Sequence, residues 1–541
     1  MEKLLLLGDE AIAQGALDAG LSGIYAYPGT PSTEIMEYVI GSQQAKEHGV
    51  RSGWATNEKT AMEAALGMSY AGKRAMVCMK HVGLNVAADA FINSAITGVN
   101  GGLIVIVADD PSMHSSQNEQ DSRYYGKFAM IPVLEPSSQQ EAYDMAYDGY
   151  ELSEKYGFPV LLRITTRLAH SRTGVVRRPQ RQQNQITLPS SPNQFILLPS
   201  NARKRYRVLL EHQEKFLHES NESRYNTYFD RPDKSKGIIA CGIAYNYLAE
   251  HFGSNPIPWP VLHIRQYPVP VEQVRKLYES CESLLILEEG YPFVEEQLNG
   301  LFGLDKPVHG RLDGTLSRDG ELTPNSVAAA IGLQPPETRP MPGIVAPRPP
   351  KLCKGCPHIY SYDALNDALA EYSKGRVFSD IGCYTLGALE PFEAINTCVD
   401  MGASITMAKG AADAGFRPAI AVIGDSTFTH SGITGLIDAV NDHSPVTVVI
   451  LDNATVAMTG GQPSSATGRI ERLCEAVGVD KEHIHVINPS PKYHDENMEI
   501  FRKEIAWEGV SVIIPRRECL HTAARRIREA RKKSVDNPVT H

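Results

Sequence analysis

The sequence predicts an α/β protein of several domains, each built on a mainly parallel sheet covered by helices. Short continuous apolar runs, such as residues 103–108 and 446–451, alternate with stretches of helical period. That alternation is the signature of strands and crossover helices in a parallel sheet. At 541 residues the chain exceeds what one hydrophobic core supports, and size alone suggests about three or four domains. Polar and proline-rich stretches then divide the apolar runs into groups.

The elements follow in order. Residues 4–7, four leucines, read as a short buried strand, and the next segment is helical through Ala11, Ile12, Ala16 and Leu17. Residues 24–27 are strand-like and stop at Pro28, Gly29, Thr30 and Pro31, which is turn chemistry. Residues 57–71 read as a helix with Ala61, Met62, Ala65 and Leu66 on one face. Residues 103–108 are a continuous apolar strand, and 159–164 are nearly so, broken by Arg163. This first domain spans 1–190. The stretch 172–194 reads as a polar linker, and 191–232 as a linker or extension of mixed helical character.

A second α/β unit occupies 233–335, with strands at 237–243, 261–264 and 284–288. Residues 335–350 hold seven prolines in sixteen positions, which excludes regular structure, so 336–350 reads as another linker. The last unit, 351–520, has strands at 377–379, 420–423, 446–451 and 510–514. A basic tail covers 521–541; eight Arg or Lys between 516 and 533 read as a solvated helix or a dock for an acidic partner.

Composition narrows the function. A net charge of −10 argues against a nucleic-acid binder. No apolar run approaches the roughly 20 residues that span a bilayer, and the acidic residues soon after Met1 do not suit a secretory signal. The expected location is the cytoplasm, with no membrane contact. Nine cysteines make no disulfide scaffold, and a reducing compartment keeps them as thiols. Cys353 and Cys356 form a C-x-x-C, and Cys383 follows 27 residues later.

The motif richest in chemistry begins where the apolar run ending at Ile423 meets Gly424, Asp425 and Ser426. A helix and a second strand follow, and that strand ends in Asp452 and Asn453. Neighbouring parallel strands would thus deliver Asp425 and Asn453 side by side at the edge where α/β folds bind ligands. Such oxygen ligands suit Mg²⁺, which shares its shell with phosphates. A helix cap at Asp425 and a turn at Asn453 is the plainer alternative.

The segment resembles the diphosphate- and Mg²⁺-binding motif of thiamine-diphosphate enzymes. That resemblance implies Asp425, Asn453 and the Thr455 carbonyl as Mg²⁺ ligands. It makes Gly424 and Ser426 part of the cofactor site, with Met401, in the run Asp400-Met401-Gly402-Ala403-Ser404, supporting the cofactor's bent shape. Glu58 opens the alanine-rich helix of 57–71; alone it would be a favourable first-turn acid. In the 2-oxoacid:ferredoxin oxidoreductases, which the first domain resembles, a glutamate at this place activates the cofactor's aminopyrimidine, a proton relay that a buried carboxyl suits.

The likeness covers nearly the whole chain. Tyr27-Pro28-Gly29-Thr30-Pro31-Ser32 is similar to a signature of these oxidoreductases, with Thr30 the implied contact to the substrate carboxylate. Met79-Lys80-His81-Val82-Gly83-Leu84-Asn85, the run from Ser116 to Arg123, Cys356-Pro357-His358, the run from Asp380 to Thr385 and the run from Asp452 to Gly460 resemble the indolepyruvate branch. The implied architecture is a pyrimidine-binding domain, a transketolase-C-terminal-like domain and a diphosphate-binding domain. Arg123 is the expected bidentate partner of the substrate carboxylate. His81 is a candidate for proton transfer, and His358 for proton transfer or lining the cofactor pocket.

The implied reaction is oxidative decarboxylation of an aryl 2-oxo acid, passing the acyl group to coenzyme A and electrons to an iron–sulfur acceptor. The implied partners are a smaller oxidoreductase subunit and a ferredoxin or separate electron-transfer subunit, in a homodimer or α2β2 assembly. The branch commonly ends in a two-cluster ferredoxin-like domain needing eight cysteine ligands, and this sequence has no such run. A non-oxidative decarboxylase releasing an aldehyde therefore stays open. Cys353, Cys356 and Cys383 are candidate iron–sulfur ligands, with Cys474 or Cys398 as the fourth; reduced thiols in a tight turn are the alternative.

Overall fold

The computed structural model describes residues 3–536 except 192, 303–305, 318, 336–339, 347–350 and 399. Two compact units result, Met1–Pro340 and Met341–His541, so the division falls within the proline-rich stretch.

The first unit holds strands β1 (Lys3–Leu7), β2 (Gly23–Ala26), β3 (Arg51–Trp54), β4 (Ala75–Lys80), β5 (Leu103–Asp109), β6 (Val133–Leu134), β7 (Val160–Thr165), β8 (Arg172–Val176), β9 (Thr227–Phe229), β10 (Gly237–Cys241), β11 (Val261–Ile264), β12 (Gln266–Tyr267), β13 (Leu284–Leu287) and β14 (Val308–His309). A seven-stranded sheet runs β12-β6-β7-β5-β4-β2-β3, and a five-stranded one runs β14-β13-β10-β11-β9. The central strands β4, β5 and β7 are buried on both faces, which explains their nearly unbroken apolar sequence.

Two expectations change here. The leucine run is a strand but not a buried one: β1 pairs only with β8, antiparallel, and Leu5 is 70% exposed. Its partner lies inside the expected linker. The residues after β8 are also held, with Arg177 bonded to Asp18 at 2.6 Å and Arg178 to Asp148 at 2.7 Å. A run of arginines and glutamines reads as solvated until the acids it reaches are known.

The middle segment does not stand apart from the first sheet. β12 pairs antiparallel with β6 and extends that sheet. One apolar core joins Ile12, Ile104 and Tyr143 to Ile238 and Leu285, and another joins Val77 and Val105 to Ile239 and Leu262. Each such buried aliphatic contributes about 1.5–3 kcal/mol. Residues 191–232 include helices Pro199–Glu211 and Gln213–Asn221.

The second unit is built on a parallel sheet ordered β15-β16-β17-β21-β20, from β15 (Val377–Ser379), β16 (Ala419–Gly424), β17 (Val446–Leu451), β20 (Ile484–Ile487) and β21 (Ser511–Pro515). A small ribbon pairs β18 (Thr455–Val456) with β19 (Gln462–Pro463). Helix Leu520–Asp536 carries the basic segment. Among the described residues no helix is long and apolar enough to cross a membrane.

Candidate active site

In the second unit Gly424 pairs with Leu451 across β16 and β17, so Asp425 and Asp452 leave the sheet at the same level. Gly424 caps the helical segment that Asp425 opens, and Ser426 follows on its first turn, where backbone N–H groups favour an anion. The Asp425 carboxyl is 2% exposed and its Oδ2 has no hydrogen-bond partner. Burial, reinforced by the charge of Asp452 and opposed by a bond from Ser464, raises its pKa to about 7. An orphaned, buried carboxylate oxygen at a strand's carboxyl end is what a hard cation requires.

Asn453 lies alongside. Its Oδ1 accepts the Thr455 N–H at 3.1 Å, and its Nδ2 lies 3.3 Å from His358 Nε2. Ala454 between them has φ +61°, a left-handed turn that costs an alanine strain and is typical of functional sites. Arg516 braces this turn by bonding Asp452 at 2.6 Å and both oxygens of Glu471 at 2.7 Å. Met401 sits where Gly402 turns at φ +92°. A Cβ on Gly402 would meet Ser431 Oγ at 2.3 Å, and that hydroxyl donates to the Met401 carbonyl at 2.6 Å. His358 is buried, and burial lowers its pKa to about 4, so it stands neutral beside Asn453.

The cysteines answer a question the sequence leaves open. One cavity of about 450 Å³ is lined by Cys353, Cys356, Cys383 and Cys519 together with His358 and Asn453. Cys353 and Cys356 flank a turn at Gly355, φ +79°, closed by a 2.9 Å backbone bond between them. Cys383 follows β15. Cys519 follows β21 and is tied by its N–H to the Asn453 carbonyl at 3.1 Å.

Cys519 is thus the fourth thiol that lines this cavity. Cys474 is buried in the apolar core of the unit, and Cys398 is exposed and does not line the cavity. Burial, then repulsion from the neighbouring thiols, pushes Cys383 up to about 12. Among the described residues no three of these sulfurs lie within 4.8 Å of one another.

In the first unit Glu58 is the first residue of helix Glu58–Tyr70, capped by Asn57, and is 5% exposed. Its carboxylate lies over Gly83, where a Cβ would come within 2.7 Å of it. His81 opens helix His81–Thr97; its Nε2 lies 3.3 Å from Asn118 Oδ1, and its buried Nδ1 has no partner. Thr30 is half-buried in the loop after β2, and its carbonyl accepts Ser115 Oγ at 3.3 Å.

Arg123 does not present a free guanidinium, which corrects the expected substrate contact. It is fully buried and bonds Asp121 at 2.9 Å, Glu288 at 2.9 Å, Tyr267 at 3.3 Å and the carbonyls of Glu289 and Tyr291 at 3.1 and 3.0 Å. Arg163 lies in the same charged cluster with Asp109 and Glu135. Every Arg123 donor direction is committed to folding.

Asp9 is another buried carboxyl of this unit, and neither of its oxygens has a partner. Burial, then the charges of Glu34 and Glu10, raise its pKa well above the ordinary value. The folded chain thus retains a proton that the unfolded chain releases near pH 4, so stability falls as pH rises through that value. Asp9→Asn is expected to add about 1–3 kcal/mol at neutral pH, shrinking toward zero below about pH 4. Urea unfolding at two pH values checks the sign.

Glu58 thus opens a buried helix of the first unit, and Asp425 and Asn453 stand just past the ends of neighbouring strands in the second. The family described as "Pyruvate flavodoxin/ferredoxin oxidoreductase, thiamine diP-bdg" matches residues 14–227, and "Thiamine pyrophosphate enzyme, C-terminal TPP binding domain" matches 380–511. Indolepyruvate oxidoreductase subunit IorA of Archaeoglobus fulgidus is 41% identical, covering 97% of this chain and 88% of that protein. The subunit of the same name from Pyrococcus abyssi is 40% identical over 98% and 88%. A solved 2-oxoglutarate:ferredoxin oxidoreductase from Magnetococcus marinus is 16% identical, with TM-score 0.49, over 61% of this chain and 64% of that one. This chain belongs to the indolepyruvate oxidoreductase IorA family.

Proposed function

We propose that this chain catalyses the oxidative decarboxylation of an aryl 2-oxo acid of the indolepyruvate kind. Coenzyme A would take the acyl group, and Cys353, Cys356, Cys383 and Cys519 would hold an iron–sulfur centre able to accept the two electrons. The observation that carries the oxidative reading over simple aldehyde release is the ring of four thiols around a cavity that His358 and Asn453 also line. A plain decarboxylase has no use for an electron acceptor there.

Mg²⁺ would be held by Asp425, Asn453 and the Thr455 carbonyl; the orphaned Asp425 Oδ2 fits that role. Thiamine diphosphate, when bound, supplies the electron sink into which carbon dioxide is lost. Glu58 would exchange a proton with the cofactor's aminopyrimidine, and the close approach of Gly83 to its carboxylate restricts water on that side. Neutral His358 lines the pocket without adding charge. The chain works in the cytoplasm with a smaller subunit and a ferredoxin or electron-transfer subunit, in a homodimer or α2β2 assembly.

The test is an anaerobic assay of indolepyruvate and phenylpyruvate with thiamine diphosphate, Mg²⁺, coenzyme A, a viologen dye and the small subunit. Coenzyme-A-dependent dye reduction is expected. Aldehyde formation without dye reduction would establish the non-oxidative reading instead. Cys519→Ser is expected to lower bound iron and sulfide to less than half and to cut dye reduction by about 100-fold or more. Full iron content in that variant would remove Cys519 from the ligand set.

A further inference from the structure

With Arg123 committed elsewhere, the substrate carboxylate needs another cation, and one stands where the sheet topology directs a ligand. The chain passes from β2 outward to β3, then returns across β2 to β4 and on to β5. The winding therefore reverses between β2 and β4. In open parallel sheets the ligand crevice opens at the carboxyl ends of the strands flanking that reversal. The loop after β2 carries Thr30, and the last residue of β4 is Lys80.

These two strand ends are in contact. A Cβ on Gly29 would lie 3.3 Å from Lys80 Cβ. Ser115, from the segment after β5, joins them: Lys80 Nζ donates to its carbonyl at 2.6 Å and its hydroxyl at 3.2 Å, and that hydroxyl donates to the Thr30 carbonyl at 3.3 Å. Lys80 is 8% exposed, and its bonds are to neutral oxygens. Asp110, whose charge favours the ammonium, spends its own oxygens on Ser115, Ser116 and Thr166. A buried ammonium bonded only to neutral oxygens is costly even with the Asp110 charge nearby. The same helix start carries Gly83 against Glu58.

We propose that Lys80, flanked by Thr30 and Ser115, is the cation that holds the carboxylate of the 2-oxo acid. The assignment rests on the proposed reaction and deepens it. The ammonium is the group that matters: burial lowers its pKa to about 8 with Asp110 opposing. Asp110 and His81 are the titratable neighbours, His81 by sequence adjacency. The ammonium is charged at pH 7 and lost as pH rises through about 8, so KM for the 2-oxo acid rises above that pH.

The experiment compares wild type, Lys80→Met and Lys80→Arg in the viologen assay. Phenylacetate binding to the thiamine-diphosphate-loaded protein is titrated calorimetrically beside it. Lys80→Met is expected to raise KM and the phenylacetate Kd by about ten- to a hundredfold, with thiamine diphosphate affinity unchanged. Lys80→Arg is expected to keep KM within about fivefold and to lose the limb near pH 8, because guanidinium stays charged. Unchanged KM and Kd in Lys80→Met would overturn the assignment. So would a pH limb retained by Lys80→Arg. A wild type that turns over no 2-oxo acid overturns the proposed function itself, and is told apart by failing before any variant is compared.

Discussion

Glu58→Gln is expected to lower kcat by about 10²–10⁴-fold, the range for removing a positioned acid–base group, while thiamine diphosphate affinity shifts by less than about tenfold. The amide matches the carboxylate in size, so the close packing over Gly83 and the helix start at residue 58 survive. What disappears is the ability to take up and return a proton. Single-turnover decarboxylation and calorimetric cofactor titration separate the two effects. A variant with unchanged kcat would remove Glu58 from the chemistry. One that no longer binds the cofactor would make it a binding residue only.

Arg123→Met is expected to destabilise the first unit by roughly 3–5 kcal/mol, the cost of removing one partner from a buried ion cluster. Asp121 and Glu288 would be left facing each other without the guanidinium that both now bond. Glu288 already has its pKa raised by burial to about 7, with Arg123 opposing. Without Arg123 these carboxyls retain protons to higher pH, so the loss is largest on the alkaline side. Urea unfolding at pH 6 and pH 8.5 measures it. A variant of native stability with a raised KM would instead restore Arg123 as a substrate contact.

These two residues also show how far the sequence could be read. Glu58, Asp425 and Asn453 stand out as candidates in the sequence because their signal is local: a strand end or helix start carrying an acid or amide at fixed spacing. Strands such as Leu103–Asp109 and Val446–Leu451 were legible as unbroken apolar runs. Ala75–Lys80 was not singled out, although every residue in it is buried; its Lys80 end looks like surface until the fold covers it. Arg51–Trp54 has neither alternation nor an apolar run. Arg123 was misread because the acid that fixes it from the far side, Glu288, lies 165 residues away. Cys519 carries no signal in the sequence, because 136 residues, 519 minus 383, separate it from the nearest of the three spaced cysteines. A backbone bond to Asn453, not a motif, brings it in.

The pairing of β12 with β6 decides what can be cut from this protein. A fragment ending at residue 232 would bare the edge of β6, strip Glu288 and Tyr267 from Arg123, and open two apolar cores at once. Such a piece would aggregate rather than fold, because an unpaired strand edge beside exposed apolar surface invites association. The smallest excisable half is therefore Met1–Pro340, and a truncation meant to isolate the Glu58 side should end in the proline-rich stretch.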